Sequence, residues 1–196
     1  CFCQLFFERT NARGRNLEVG DLLKAHLFSK HPDETEIIEI WDDIVERSNN
    51  QLTRMLKYFY IIENGHITSS KLFKGLKDLY EDEDDKNQRV EKLVLRLDEF
   101  SIFFDAVHRL TDEKKLIPIF DNLNGGKKRS VDELLLNSIY HAIDGLNLFR
   151  ITQVTPLLWS FLKKFHELKL QNERRQIKTI LIFFKSLENY HFINNF

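Results

Sequence analysis

The longest apolar pattern in the chain runs from Asn87 to Leu110 and reads NQRVEKLVLRLDEFSIFFDAVHRL. Its apolar residues recur every three or four positions, which is the spacing of one face of an α-helix. The main stripe consists of Val90, Leu93, Val94, Leu97, Phe100, Phe104 and Val107. Further apolar residues fall on other faces: Leu95, Ile102, Phe103, Ala106 and Leu110. Because a helix that is apolar on several sides is buried, we predict a central helix here.

Similar patterns on both sides of this stretch predict further helices. They cover Asp33 to Ser48, Leu52 to Ile62, Ser69 to Tyr80, Glu113 to Leu123, Ser130 to Leu146, Thr155 to Leu168 and Glu173 to Tyr190, and another follows Asn16. Cys1 to Phe7 fits either a strand or the tail of a helix, and no other stretch favours a strand. We therefore predict an all-α fold, an irregular bundle of about eight or nine helices. A helical-repeat array is the minor alternative, because no fixed period emerges.

Composition narrows the class of protein. The 196 residues are 42% hydrophobic and include 17 Phe, enough for a globular core in one or two domains. The formal net charge of −1 gives no overall drive toward nucleic acid or membrane. Cys1 and Cys3 are too close together to staple the fold, so we expect a reducing, cytoplasmic setting. No apolar run approaches the ~20 residues of a membrane span, so no membrane partner is expected.

Charge is unevenly distributed along the chain. Asp78 to Glu113 contains 12 acids and 5 bases, whereas Arg150 to Phe196 contains 8 bases and 3 acids. Lys127, Lys128 and Arg129 form a further basic group. The basic C-terminal section suits contact with DNA phosphates. Alternatively, the two blocks face each other inside the molecule or are solvated.

Motifs of known chemistry are absent from the sequence. No glycine-rich phosphate loop, nucleophile elbow or metal-nuclease motif occurs, and no two of the seven histidines stand at the spacing of metal ligands on a helix. The acidic run Glu81 to Asp85 lacks the alternating ligands and turn glycine of a calcium loop. We therefore predict no catalytic or metal-binding residue and single out only His26, because it lies near the corner described next.

A polar corner precedes the first predicted helix. Gly14 suits a sharp turn, and Asn16 is a plausible N-cap, with Glu18 and Asp21 in the following first turn. A loop rich in Arg and Asn that ends at a helix N-terminus can bind an anion such as a phosphate. Asn11, Arg13 and Gly14 are the candidate ligand-binding residues, with Arg13 pairing to phosphate oxygens. The competing interpretation is a helix-loop-helix corner whose arginines are solvated.

The corner also carries a family resemblance. The phrase Phe-Glu-Arg-x-Asn-x-Arg-Gly-x-x-Leu-x-x-x-Asp-Leu-Leu-Lys, from Phe7 to Lys24, resembles the end of the ParB-like N-terminal domain of GmrSD-type restriction endonucleases. Thr155-Pro156-Leu157-Leu158 and the segment from Leu187 to Phe192 are similar to parts of the helical region that follows in that family. Those proteins are bacterial defence enzymes that attack modified phage DNA.

The resemblance implies a role and a division of the chain. Residues 1–30 would be the end of a ParB-like core and the first helix, and residues 31–196 a helical domain with a possible hinge at 124–129. Asn11, Arg13 and Gly14 would form one wall of a nucleotide pocket, with a nucleoside triphosphate as cofactor of the parent protein only. The chain would be a scaffold between the upstream ParB-like domain and a downstream nuclease domain.

The family's two signature elements are missing from this sequence. Neither the Asp-Gly-Gln-Gln-Arg nucleotide motif nor the His-Asn-His nuclease domain occurs. Because the chain also begins at Cys1 in mid-motif, we expect it to be the middle of a larger, NTP-dependent endonuclease and not itself a catalyst. The alternatives are a self-contained helical interaction module, in which the corner is coincidental, and a nucleic-acid-binding helical domain. The second requires Lys127 to Arg129 and Lys163 to Lys185 to share one exposed face.

Overall fold

The computed structural model describes residues 18–29, 35–81, 89–111, 113–119, 133–167 and 173–194. Within these ranges there are eight complete α-helices and no strand, which confirms the predicted all-α bundle. The helices are α1 Val19–Phe28, α2 Thr35–Arg47, α3 Leu52–Asn64, α4 Leu72–Glu81, α5 Arg89–His108, α6 Glu133–Leu148, α7 Thr155–Glu167 and α8 Glu173–Asn194. Two short 3-10 helices, Ser69–Lys71 and Glu113–Leu116, precede α4 and follow α5. Of the helices described, none is both long and apolar enough to cross a membrane.

The predicted helix limits agree with the structure to within a few residues. Helix α3 ends at Asn64, and Gly65 follows with φ of 83°, as the Asn64-Gly65 pair predicts. The predicted start at Ser69 is a 3-10 turn, which continues into α4. The predicted helix from Glu113 opens as a 3-10 helix, and residues 117–119 are helical. Ser130, the predicted cap of α6, lies outside the described residues.

The chain forms two compact units, Cys1–Ser101 and Ile102–Phe196, and the boundary between them falls within α5. The predicted hinge at 124–129 lies outside the described residues, and the predicted domain division after residue 30 stays a prediction.

In the first unit, helix α1 packs against α3 and α4, and α3 also packs against α4. The core of this unit consists of large apolar side chains that are almost completely buried. It includes Leu23, Leu27, Trp41, Ile44, Met55, Leu56, Leu72, Leu76, Val94, Leu97 and Phe100. These residues recur at helical spacing along each element, so their burial follows from the patterns in the sequence.

In the second unit, α6 packs against α8 and against the 3-10 helix Glu113–Leu116. Aromatic contacts hold α7 in place. The ring centroids of Phe103 and Trp159 lie 5.0 Å apart, and Phe161 stacks on Phe183 of α8 with 3.6 Å between centroids. The core is therefore built from the last part of α5 together with α6, α7 and α8.

Helix α5 confirms the prediction of a central helix. All seven residues of the main stripe are at most 3% exposed, and Phe103 and Ala106 on other faces are buried as well. Burial is wrongly predicted for two residues, since Leu95 of α5 is 46% exposed and Val45 of α2 is 40% exposed. Each lies one position after a buried residue, about 100° further round its helix, where the apolar face ends.

Helix α4 approaches its neighbours closely at Gly75. A Cβ atom at this position would lie 2.6 Å from Ile67 Cδ1 and 2.6 Å from Tyr60 Cε2, too close for both side chains to stay in place. Overpacking costs about 1–3 kcal/mol, whereas the better helix propensity of alanine returns up to ~1 kcal/mol. We expect Gly75→Ala to lower the free energy of unfolding by about 1 kcal/mol, measured by urea denaturation. Lys74→Ala, at the exposed neighbouring position, is the control and should stay within ~0.5 kcal/mol. A Gly75→Ala protein as stable as this control would show that the space is not restricted.

Helix α6 ends in a Schellman motif with a residue other than glycine in the left-handed conformation. Arg150 has φ of 56°, its N–H bonds to Asn147 O at 2.9 Å, and the Ile151 N–H bonds to Leu146 O at 2.8 Å. This conformation costs an L-residue about 1–2 kcal/mol.

We expect Arg150→Gly to raise the free energy of unfolding by about 0.5–1 kcal/mol and the melting temperature by a few degrees. Arg150→Ala removes the same side chain but keeps the strained backbone, so it should bring no gain. If thermal denaturation shows the same gain for both variants, the effect belongs to the arginine side chain and not to its φ angle.

Candidate functional site

The candidate ligand-binding residues Asn11, Arg13 and Gly14 lie outside the described residues, so their role stays a prediction. The structure does describe the second half of the family-like motif, from Glu18 to Lys24 in α1. The geometry of this half shows what three of the motif residues do and what the end of the helix offers to a ligand.

The N-terminus of α1 is closed by its own carboxylates. Glu18 is the N-cap; its side chain accepts the backbone N–H of Asp21, and Asp21 Oδ2 accepts the N–H of Glu18 at 3.3 Å. This reciprocal capping box satisfies two N–H groups that the helix itself leaves unbonded. The predicted N-cap, Asn16, is therefore wrong, since the helix starts two residues later than expected. The spacing of two acids three residues apart at a helix start was the signal for the observed cap.

The capping box affects the anion-binding hypothesis. The Thr53 hydroxyl also donates to Glu18 Oε2 at 3.4 Å, so carboxylates already occupy the positive end of the α1 dipole. An anion placed there would be repelled by Glu18 and Asp21. Any phosphate bound by the corner would have to depend on Asn11, Arg13 and Gly14.

The other described residues of the motif act in packing. Leu23 is completely buried. Lys24 Nζ lies 2.6 Å from Asp42 Oδ1 and so joins α1 to α2. Asp21, Leu23 and Lys24 thus supply a cap, a core residue and an ion pair, and none of these roles needs a ligand.

His26 packs between α1 and α4. Its side chain is 18% exposed, and its ring meets Tyr80 and Phe73 edge-on, with centroid distances of 5.8 Å and 6.3 Å. Its Nε2 lies 3.9 Å from Glu81 Oε1, and Glu81 is in turn 3.6 Å from Lys77 Nζ. The histidine that the sequence singled out is therefore part of the contact between two helices.

Sequence reasoning missed a polar network around Arg47. Its NH1 donates to Asp98 Oδ1 and to Ser101 Oγ, both at 2.6 Å, and its NH2 lies 3.4 Å from Asp43 Oδ2. Ser101 is fully buried and donates to Asp98 O at 2.8 Å. No local pattern signals this network, because it joins the end of α2 to a part of α5 that is distant in sequence.

A second network lies in the other unit, where His108 meets Thr155. Nε2 of the histidine is 3.1 Å from Oγ1 of the threonine. Thr155 Oγ1 donates to Thr152 O at 2.7 Å, so the histidine nitrogen acts as the donor toward it. A hydroxyl beside a histidine is the arrangement of a nucleophile and its base. Here the hydroxyl is 1% exposed and already hydrogen-bonded, so the pair serves to fix the start of α7.

The described residues hold no group of three or more His, Cys, Asp or Glu side chains close enough to bind a metal ion. Comparisons with known proteins add no further constraint. No protein-family model, no curated protein and no solved structure matches the chain. The residues themselves therefore carry the functional argument.

The capping box at α1 can be tested by removing one of its acids. Asp21→Ala deletes the acceptor of the Glu18 N–H, and we expect a loss of about 1 kcal/mol in the free energy of unfolding. Asp144→Ala, at an exposed position within α6, is the matched control and should be neutral or slightly stabilising because alanine favours helix. The measurement is urea denaturation followed by circular dichroism. Equal stability of the two variants would mean that the carboxylate of Asp21 serves something other than the cap.

Proposed function

We propose that the chain is a non-catalytic helical scaffold from a bacterial, cytoplasmic, GmrSD-like defence protein. In this proposal it couples an upstream nucleotide-sensing ParB-like domain to a downstream nuclease domain. The parent would be an endonuclease dependent on a nucleoside triphosphate, and the scaffold would transmit the state of the nucleotide pocket. The single observation that carries the proposal is the motif from Phe7 to Lys24, followed in the family's order by Thr155-Pro156-Leu157-Leu158 and by the segment from Leu187 to Phe192.

Features of the described fold support a scaffolding role. The resemblance implies a long helical region after the corner, and the described residues from α1 onward are helices joined by turns. The polar groups with most partners, Arg47, Asp98 and Ser101, tie helices to one another. The hydroxyl of Thr155 is buried by packing. Such groups hold a shape and are not placed to act on a substrate.

A self-contained helical interaction module is the second candidate. The observation that favours it is the structural role of every described motif residue considered above, since Asp21 caps, Leu23 is buried and Lys24 pairs with Asp42. A helix start with these needs would conserve the same residue types without any nucleotide. The two candidates therefore differ in what Arg13 does.

Nucleotide binding by the parent protein that contains this segment separates the two candidates. In isothermal titration calorimetry with nucleoside triphosphates, we expect Arg13→Ala to weaken binding about 10- to 100-fold, since a hydrogen bond to a charged group contributes ~1.5–3 kcal/mol. Arg15→Ala removes a neighbouring arginine outside the motif and should leave the affinity unchanged. Unchanged affinity in Arg13→Ala would make the corner structural, and a parent that binds no nucleotide would favour the interaction module.

A further inference from the structure

One side of helix α8 carries unpaired positive charge. Lys178 and Lys185 are both exposed, and neither has an ion pair or a hydrogen bond from its side chain within the described part of the chain. Other basic side chains are engaged: Arg96 pairs with Glu63, and Arg109 pairs with Asp105. The lysines of α8 are thus available to an external partner.

The helical register places the two lysines on the same side of α8. They lie two turns apart, which separates their positions by about 10.5 Å along the axis and by only ~20° around it. The buried residues Ile180 and Phe184 face the core, and Phe183 stacks on Phe161 of α7. Both lysines lie about 140–160° round the axis from Phe183, and they face away from the core.

The charge around this face is one-sided. No acid occurs from Lys178 to Leu187, and the next acid, Glu188, is half-buried beside Leu187. The unit Ile102–Phe196 contains 14 bases and 10 acids, whereas Cys1–Ser101 contains 15 bases and 20 acids. Positive charge therefore accumulates in the unit that carries α8, although the whole chain is close to neutral.

We propose that the Lys178–Lys185 face of α8 binds the phosphate backbone of a nucleic acid. The lysine spacing along α8 is close to three nucleotide steps, because each strand of a duplex carries one phosphate per ~3.4 Å of helix axis. Lysine binds phosphate as a point charge and needs no fixed approach geometry. With no donor or acceptor besides the lysines on this face, contact is to the backbone and independent of base sequence. Lys163 does not belong to the face, since it is half-buried and lies over the ring of Trp159.

This inference is independent of the scaffold proposal, because it involves neither Arg13 nor a nucleotide. The calorimetric experiment on Arg13 can fail while the backbone contact persists, and the reverse also holds. The two outcomes are therefore distinguishable.

The test is fluorescence anisotropy of the full chain with a labelled DNA duplex over a series of salt concentrations. The variant is Lys178→Gln with Lys185→Gln. Removing two phosphate contacts should reduce the slope of log K against log salt by about two and weaken binding tens of fold near 0.1 M salt. The matched control is Lys71→Gln with Lys74→Gln, two exposed lysines of the other unit, which should leave slope and affinity unchanged.

Three results would overturn the proposal: no duplex binding by the unaltered chain, an equal loss in the control pair, or an unchanged salt slope in the variant. Displacement by an acidic polypeptide such as polyglutamate, but not by unlabelled duplex, would assign the face to an acidic protein instead. If circular dichroism shows that the glutamine variant is misfolded, Lys178→Arg with Lys185→Arg replaces it. That pair keeps both charges and must bind as the unaltered chain does, whereas a loss of binding contradicts the proposal.

Discussion

Helix α5 is buried on nearly every side, and the other helices have to satisfy this constraint. Only Glu91 and Leu95 of its 20 residues are exposed. Burying one Leu or Phe side chain stabilises a fold by ~1.5–3 kcal/mol, so a helix of this kind draws partners around it. Its first part supplies core residues such as Leu97 to one unit, and its last part supplies Phe104 to the other.

The polar residues of α5 follow from the same constraint. A helix that is buried on several sides brings its polar groups close to other helices, where an unsatisfied group costs ~1–3 kcal/mol. Asp98 and Ser101 are bonded by Arg47, His108 is bonded by Thr155, and the Val107 carbonyl accepts from Asn147 Nδ2 at 2.6 Å. These bonds are directional, so they fix how each neighbouring helix is seated within its unit, whereas apolar contacts alone tolerate sliding.

The candidate corner illustrates how a motif can be partly explained by folding alone. Three of its described residues are required by a cap, a core and an ion pair, and the positive end of α1 is already neutralised. If the corner binds a ligand, the binding energy has to come from the arginine and not from the helix dipole. The sequence identified the acids in the first turn correctly but placed the cap at Asn16, because Asn and Glu both accept hydrogen bonds and local spacing does not decide between two adjacent starts.

The sequence by itself determined the all-α class, the position of every described helix to within a few residues, and the central role of α5. This was possible because apolar spacing and caps are local properties. Only the tertiary structure decided that Val45 and Leu95 stay exposed, that Arg47 reaches Asp98, and that Arg150 takes a left-handed conformation. These outcomes depend on which arc of a helix another element covers and where distant residues meet, and a one-dimensional pattern contains neither.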